Sequence, residues 1–147
     1  MVREILFKAK RLDNGEWVEG LLWKKKYQSN KWFISCFPDK DDNEEVYVID
    51  INTLCQYTGL LDKNGNKIWE NDVVEHSDEI YRVHFVVKYG EYHNDGNKDC
   101  YVGFYADWFQ TLDSKYLRKD IGFWVYNREI EVIGNIFDNP ELLGGAE

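Results

Sequence analysis

Apolar and polar positions alternate along most of the chain with the two-residue period of β-strands. Residues 4–12 place Ile5, Phe7 and Ala9 on one face against Leu6, Lys8 and Lys10. Asp13-Asn14-Gly15 follows as a turn, and Asn-Gly suits the type I′ hairpin, which needs positive φ at both central residues. Residues 16–23 return as a second strand, the polar run Lys24 to Asn30 reads as a hairpin tip, and residues 31–37 form a third strand. Pro38 ends that strand because it lacks a ladder donor, and an acidic loop runs to Glu45. Strands are also predicted at 46–50, 73–75, 80–89, 100–108, 123–125 and 130–137. The segment 52–61 is less regular, with a tight turn expected at Gly59. Trp108, Leu112 and Tyr116 lie four apart, which suits one or two helical turns between 107 and 120. Asp138 or Asn139 is placed to cap a short helical turn with Pro140 in its first turn, and residues 144–147 should fray.

Many short strands at even spacing imply a mainly β fold of antiparallel hairpins. We expect a hairpin-rich β subdomain over residues 1–60 packed on an SH3-like small barrel over 61–147. Leu12-Asp13-Asn14-Gly15 is echoed by Leu61-Asp62-Lys63-Asn64-Gly65. Two hairpins using one favourable turn chemistry explain the echo better than a duplicated unit, since nothing else repeats.

Composition narrows the function classes. Twenty-four aromatic residues in 147, with 44% hydrophobic residues, exclude a disordered chain. No apolar run approaches the length of a membrane span, and Met1-Val2-Arg3-Glu4 lacks the apolar core of a signal peptide. We therefore expect a cytoplasmic protein with free thiols at Cys36, Cys55 and Cys100, each filling a small apolar position. The net charge of −9 is uneven: residues 1–35 hold eight basic and four acidic residues (+4), and the other 112 hold ten and 23 (−13). The acidic part repels phosphate, so only the N-terminal hairpin could grip a nucleic acid.

Motifs for catalysis are missing from the sequence: there is no G-x-S-x-G, H-E-x-x-H, Walker A or G-x-G-x-x-G pattern. His76, His84 and His93 do not pair with the cysteines at metal-ligand spacings, and Asn94 to Asp99 lacks the distal glutamate of a calcium loop. We expect no enzyme, no cofactor and no metal. One group stands out: Trp23, Lys24, Lys25, Lys26 and Tyr27 with Lys31 and Trp32. Lysines beside aromatic rings could screen phosphates while the rings stack on bases, or could contact a partner protein. The plainer account is cross-strand packing of Trp23 with Trp32, with lysines guarding an exposed tip.

Three blocks carry a family resemblance. Gln56-Tyr57-Thr58-Gly59-Leu60, then Asp62-Lys63-Asn64-Gly65, then Ile68-Trp69-Glu70-Asn71-Asp72-Val73-Val74 resemble the signature of the YopX family of bacteriophage and prophage proteins. The closing run Glu131 to Leu143, with Gly134, Asn135, Asn139 and Pro140, is similar to that family's C-terminal motif, and Arg3 to Gly20 to its N-terminal hairpin. Asn71 stands where the family commonly has glycine, which implies a bend with positive φ. The resemblance implies a β-rich fold and a phage or prophage origin, with no catalytic residues to carry over. The expected role is an accessory protein acting through protein–protein contact or self-association, with a homo-oligomer the simplest form. The alternatives are a single-stranded nucleic-acid module, or an acidic DNA mimic that blocks a host protein.

Overall fold

A computed structural model of the chain describes residues 3–27, 30–37, 43–80, 82–93, 99–108, 119–127 and 129–144. Parts of the hairpin tip, the acidic loop, the Asn94 to Asp99 loop, the helical pattern after Trp108 and the last residues therefore lie outside the described residues. The fold is mainly β, with ten strands in two antiparallel sheets among the described residues, and the chain divides into two units, Met1–Tyr57 and Thr58–Glu147.

In the first unit, β1 (Phe7–Arg11), β2 (Trp17–Lys24), β3 (Trp32–Cys36) and the first two-thirds of β4 (Glu45–Leu61) are hydrogen-bonded in sequence. Strand β1 also pairs with β4, so the four strands close into a ring. The closing register is Phe7↔Gln56 and Lys8↔Cys55, then Lys10↔Asp50 and Arg11↔Ile49, with a bulge between. Thr53 sustains the bulge: its hydroxyl accepts from the Lys10 N–H at 2.9 Å and donates to the Asp50 carbonyl at 2.7 Å. The interior is filled by Ala9, Ile34 and Ile49, with Phe7, Val18, Leu22, Trp32, Cys36 and Leu54 packed around them. The expected alternation in β1 holds for Phe7 and Ala9, whereas Ile5 lies before the strand and is exposed.

The second unit holds a sheet in the order β10–β6–β7–β8–β9, made of β6 (Asp72–Ser77), β7 (Arg82–His93), β8 (Cys100–Trp108), β9 (Lys119–Asp120) and β10 (Glu131–Asn135). A short strand, β5 (Lys67–Trp69), pairs with the end of β4. Among the described residues β10 and β9 are the end strands, so the SH3-like closure expected for this half is not among the pairings. Its core gathers Ile68, Val74, Phe85, Val87, Ala106, Ile121 and Ile130, with Trp108 and Trp124 against Phe85.

Several local expectations are corrected. Residues 123–125, read as a strand, belong to helix α1 (Ile121–Asn127). The Asp120 carboxylate accepts the Phe123 N–H at 3.0 Å and so caps it, while Ile121, Trp124 and Val125 turn to the core at helical spacing. Gly59 makes no tight turn; it lies inside β4 with φ 86°. The Asn14-Gly15 turn is not type I′, because only Gly15 has positive φ, and the Gly15 N–H reaches back to the Arg11 carbonyl at 3.0 Å. Asn14 instead accepts the Glu16 N–H through its side chain, which widens the loop. Cys55 is buried as expected, but Cys100 is exposed and fills no apolar position.

Asn71 does adopt the left-handed conformation, with φ 70° in the β5–β6 turn. Asn71→Ala should cost about 1–2 kcal/mol and Asn71→Gly much less, as read by urea unfolding, because only the alanine meets the full Cβ penalty of that conformation.

Candidate functional site

The register of the first unit decides which residues of the basic hairpin can act together. Trp23 lies opposite Phe33, and Lys24 opposite Trp32. Trp23 and Trp32 are therefore not cross-strand partners and point to opposite faces of the pleat. Trp32 packs against the ring interior, with the Lys24 ammonium 5.1 Å from its ring centre. Trp23 faces outward and stacks on Phe33, with centroids 4.4 Å apart and planes 15° apart. Lys25 and Lys26 lie over Phe33 and Tyr27 at 5.8 and 5.5 Å. Lys31 is exposed, and Tyr27 is 88% exposed. The structure thus splits the expected group: Trp23, Lys25, Lys26 and Tyr27 are available outside, and Trp32 is spent on the core.

Around the Trp23–Phe33 stack the outer face forms an open depression of about 700 Å³, walled by Leu21, Leu22, Trp23, Phe33, Phe37 and Val46. Its polar groups are Lys25, Ser35 and Glu44. The Trp23 indole N–H donates to the Ser35 hydroxyl at 2.7 Å, and that hydroxyl donates to the Glu44 carboxylate at 2.6 Å. This chain fixes the indole and holds one carboxylate at the edge of an apolar surface. Leu21, Phe37 and Val46 are 55%, 51% and 46% exposed. Sequence reasoning passed over all three. The signal was nevertheless there: Leu21 and Trp23 share the parity of the charged Glu19, so β2 carries apolar residues on its solvent face as well as its core face.

The family-signature residues have a different use. In the second unit most of them tie the end strand β10 to the hairpin at residues 62–66. The Asp62 carboxylate accepts N–H groups from Asn64 and Asn66 at 2.9 and 2.8 Å, and from Val132 at 3.0 Å. Burial pushes that carboxyl up, but the backbone donors and the Asn66 side chain outweigh it and hold it below the usual carboxylate range. Gly65 takes φ 81° in this three-residue loop, and the Asn64 amide donates to Glu131 at 3.0 Å. Further along β10, Asn139 accepts the Asn135 N–H, and its carbonyl oxygen would sit 2.5 Å from any Cβ at Gly134. Asn135 itself accepts the N–H groups of Phe137 and Asp138. The expected turn is present as a single 3-10 turn, Pro140–Leu142, with Asn139 at its N-cap position but no side-chain capping bond. Asp72 accepts the Trp69 N–H at 2.8 Å across the turn that carries Glu70, and Thr58 donates to the Ile68 carbonyl at 2.8 Å. Tyr57 is buried, and Gln56 sits where β1 closes onto β4. These contacts are structural; Asp62 and Asn139 occupy the donors that an incoming strand would otherwise seek on β10.

His84 meets Glu75 at 2.7 Å on neighbouring strands, with the Arg82 guanidinium 3.8 Å from the same carboxylate. Burial and nearby Glu45 raise the Cys36 thiol, and burial and Glu91 raise Cys100, so neither is poised as a thiolate. Among the described residues no group of three or more His, Cys, Asp or Glu could hold a metal ion, and no helix is long and apolar enough to cross a membrane.

The profile of the family described as YopX protein matches residues 6–144 of the chain. No curated protein matches. Among solved structures the chain is similar to the crystal structure of protein EF1440 from Enterococcus faecalis, at 22% identity and a TM-score of 0.54, over 97% of this chain and 99% of that one. At that identity the likeness speaks to the fold alone.

Proposed function

The chain belongs to the YopX family, and from that premise we propose that it is a non-enzymatic accessory protein of a bacteriophage or prophage, cytoplasmic in its host, that acts by protein–protein contact through the outer face of the N-terminal ring. The observation that carries this reading is the exposed apolar set Leu21, Phe37 and Val46 around a fixed Trp23. Apolar side chains gathered on an exposed surface and rimmed by charge mark interaction sites, and a rigid tryptophan makes a good anchor. The ring favours side-chain contact over strand addition, because each of its strands is paired on both sides. No histidine lines the depression, and its serine hydroxyl is committed to Glu44, so the polar groups position the wall rather than activate a nucleophile. The nucleic-acid alternative is supported less, since Trp32 packs inward and Trp23 and Phe33 cover each other's faces.

The test is comparative capture. The immobilised chain and its Leu21→Glu variant are exposed to one bacterial lysate, and bound proteins are identified by mass spectrometry. A defined set should be retained by the natural chain and reduced about tenfold or more by the variant, a hot-spot-sized loss. The unfolding midpoint should barely move, since Leu21 is a surface position. Identical capture by both would sink the reading. Salt-sensitive anisotropy with a single-stranded oligonucleotide, abolished by Lys24→Glu/Lys26→Glu, would shift it to nucleic acid.

A further inference from the structure

We infer that Asn14 is a site of spontaneous chemical modification in the folded chain, converting through a cyclic imide to aspartate and isoaspartate, and that the fold withholds the same chemistry from Asn64. The inference is independent of the outer-face reading above. The sequence holds two Asn-Gly pairs, Asn14-Gly15 and Asn64-Gly65. A glycine after asparagine has no Cβ to keep its backbone nitrogen away from the asparagine side chain. In the reaction that nitrogen gives up its proton to solvent and attacks the asparagine Cγ. A C–N bond forms, the bond from Cγ to the amide nitrogen breaks, and that nitrogen leaves as ammonia. Water then opens the imide at either carbonyl, giving aspartate or isoaspartate. No oxidant or reductant takes part.

The backbones of the two pairs nearly match. The Gly15 N–H donates to the Arg11 carbonyl at 3.0 Å with φ 73°, and the Gly65 N–H to the Asp62 carbonyl at 3.1 Å with φ 81°. Both pairs are exposed to water. Their side chains differ. Asn14 Oδ1 accepts the Glu16 N–H at 2.9 Å, which folds the side chain over Gly15 and carries Cγ toward the glycine nitrogen. The same bond draws electron density away from Cγ. Among the described residues nothing holds the Asn14 amide nitrogen, which is the leaving group. At Asn64 the polarity is reversed: the amide nitrogen donates to the Glu131 carboxylate at 3.0 Å, and no described donor reaches Oδ1. A backbone N–H can meet only the oxygen of an amide, and a carboxylate only its nitrogen, so both orientations are fixed. The leaving group of Asn64 is therefore anchored by a charge-assisted bond, and its Cγ keeps its electron density. Conversion of Asn14 would set a third carboxylate beside Asp13 and Glu16, which already share Arg11. Isoaspartate would also lengthen the main chain of the β1–β2 turn by one carbon.

Peptide mapping of the aged full chain tests this. The chain is incubated at mildly alkaline pH, where the glycine nitrogen loses its proton more readily, and then digested. The mass gain of amide-to-acid conversion is followed at both asparagines by mass spectrometry, with aspartyl and isoaspartyl peptides separated by chromatography. Asn14 should convert about tenfold faster than Asn64 in the folded chain, the worth of one charge-assisted hydrogen bond on the leaving amide, and should yield both products. In guanidinium chloride both pairs lose these contacts and should convert at similar rates. Glu131→Ala should raise the rate at Asn64 toward that at Asn14 and leave Asn14 unchanged. Equal rates in the folded chain, a faster Asn64, a preference for Asn14 that persists in denaturant, or an Asn64 rate indifferent to Glu131→Ala would each overturn the inference.

Discussion

Gly20→Ala should destabilise the N-terminal ring by about 3 kcal/mol or more, at the upper end of what overpacking costs. An alanine Cβ at this position would lie 2.0 Å from the Ser35 carbonyl oxygen and 2.8 Å from its carbon. Both are backbone atoms of the neighbouring strand β3, so no side-chain rotation relieves the overlap. Gly20 also faces Phe7 across the β1–β2 ladder, so displacing β2 from β3 disturbs a second interface of the same ring. Three of the six tryptophans, Trp17, Trp23 and Trp32, belong to this unit and report its unfolding in urea. The control is Gly103→Ala, where nothing lies within 4 Å of the new atom and a change within about 0.5 kcal/mol is expected. Equal midpoints for the two variants would show that the ring tolerates the methyl and that its strands are not held at the observed spacing.

Asp62→Ala should have the second-largest effect, about 3 kcal/mol. It strands the N–H groups of Asn64, Asn66 and Val132, each of which costs about 1–3 kcal/mol if left without an acceptor, reduced where water can reach them. For a chain of this length the loss corresponds to about 10 °C in unfolding temperature. Asp62→Asn keeps an acceptor oxygen and should recover roughly half. The pH dependence follows from the direction of the shift. The folded carboxyl titrates below its unfolded value, so the folded state holds fewer protons in the acid range. The contribution of ionised Asp62 is complete above the unfolded value of about 4 and falls away as pH drops through the lower folded value. The gap between the natural chain and Asp62→Asn should accordingly be widest near neutrality and narrow below about pH 4. A gap unchanged down to the acid transition would mean that the carboxylate's charge contributes nothing.

Much of this fold was legible in the alternation of residues. Strand β8 runs from Cys100 to Trp108 as the pattern predicts, β2 and β3 lie within a residue of their expected limits, and β1 begins three residues later than expected. Failures occurred where a local preference met a tertiary constraint. Phe123-Trp124-Val125 has the composition of a strand, but Ile121, Trp124 and Val125 also fall at helical spacing behind a capping Asp120, and packing against Phe85 favours the helix. Gly59 suggested a turn because glycine often makes one; here it supplies a positive φ within a strand. The two Leu-Asp…Asn-Gly segments differ physically although their sequences agree. Asp13 is mostly exposed and paired with Arg11, whereas Asp62 is buried and accepts backbone donors. As for the site, the basic aromatic hairpin could be picked out by composition, but not its division between two faces. That division depends on the β2–β3 register, and the exposure of Phe37 and Val46 becomes visible only once β4 is laid beside β3.

The closure of β1 onto β4 also bears on how the chain is made. A translating ribosome releases β1, β2 and β3 as a meander in order, but the pairing of Phe7 with Gln56 spans nearly fifty residues and cannot form until β4 has emerged. At about 5–20 residues per second, the free edge of β1 would wait a few seconds for its partner. During that interval β1 is the strand of the ring most open to mispairing. It carries Lys8 and Lys10, whose charges oppose edge-to-edge association. The lysines of β1 thus serve the nascent ring before they serve the finished one.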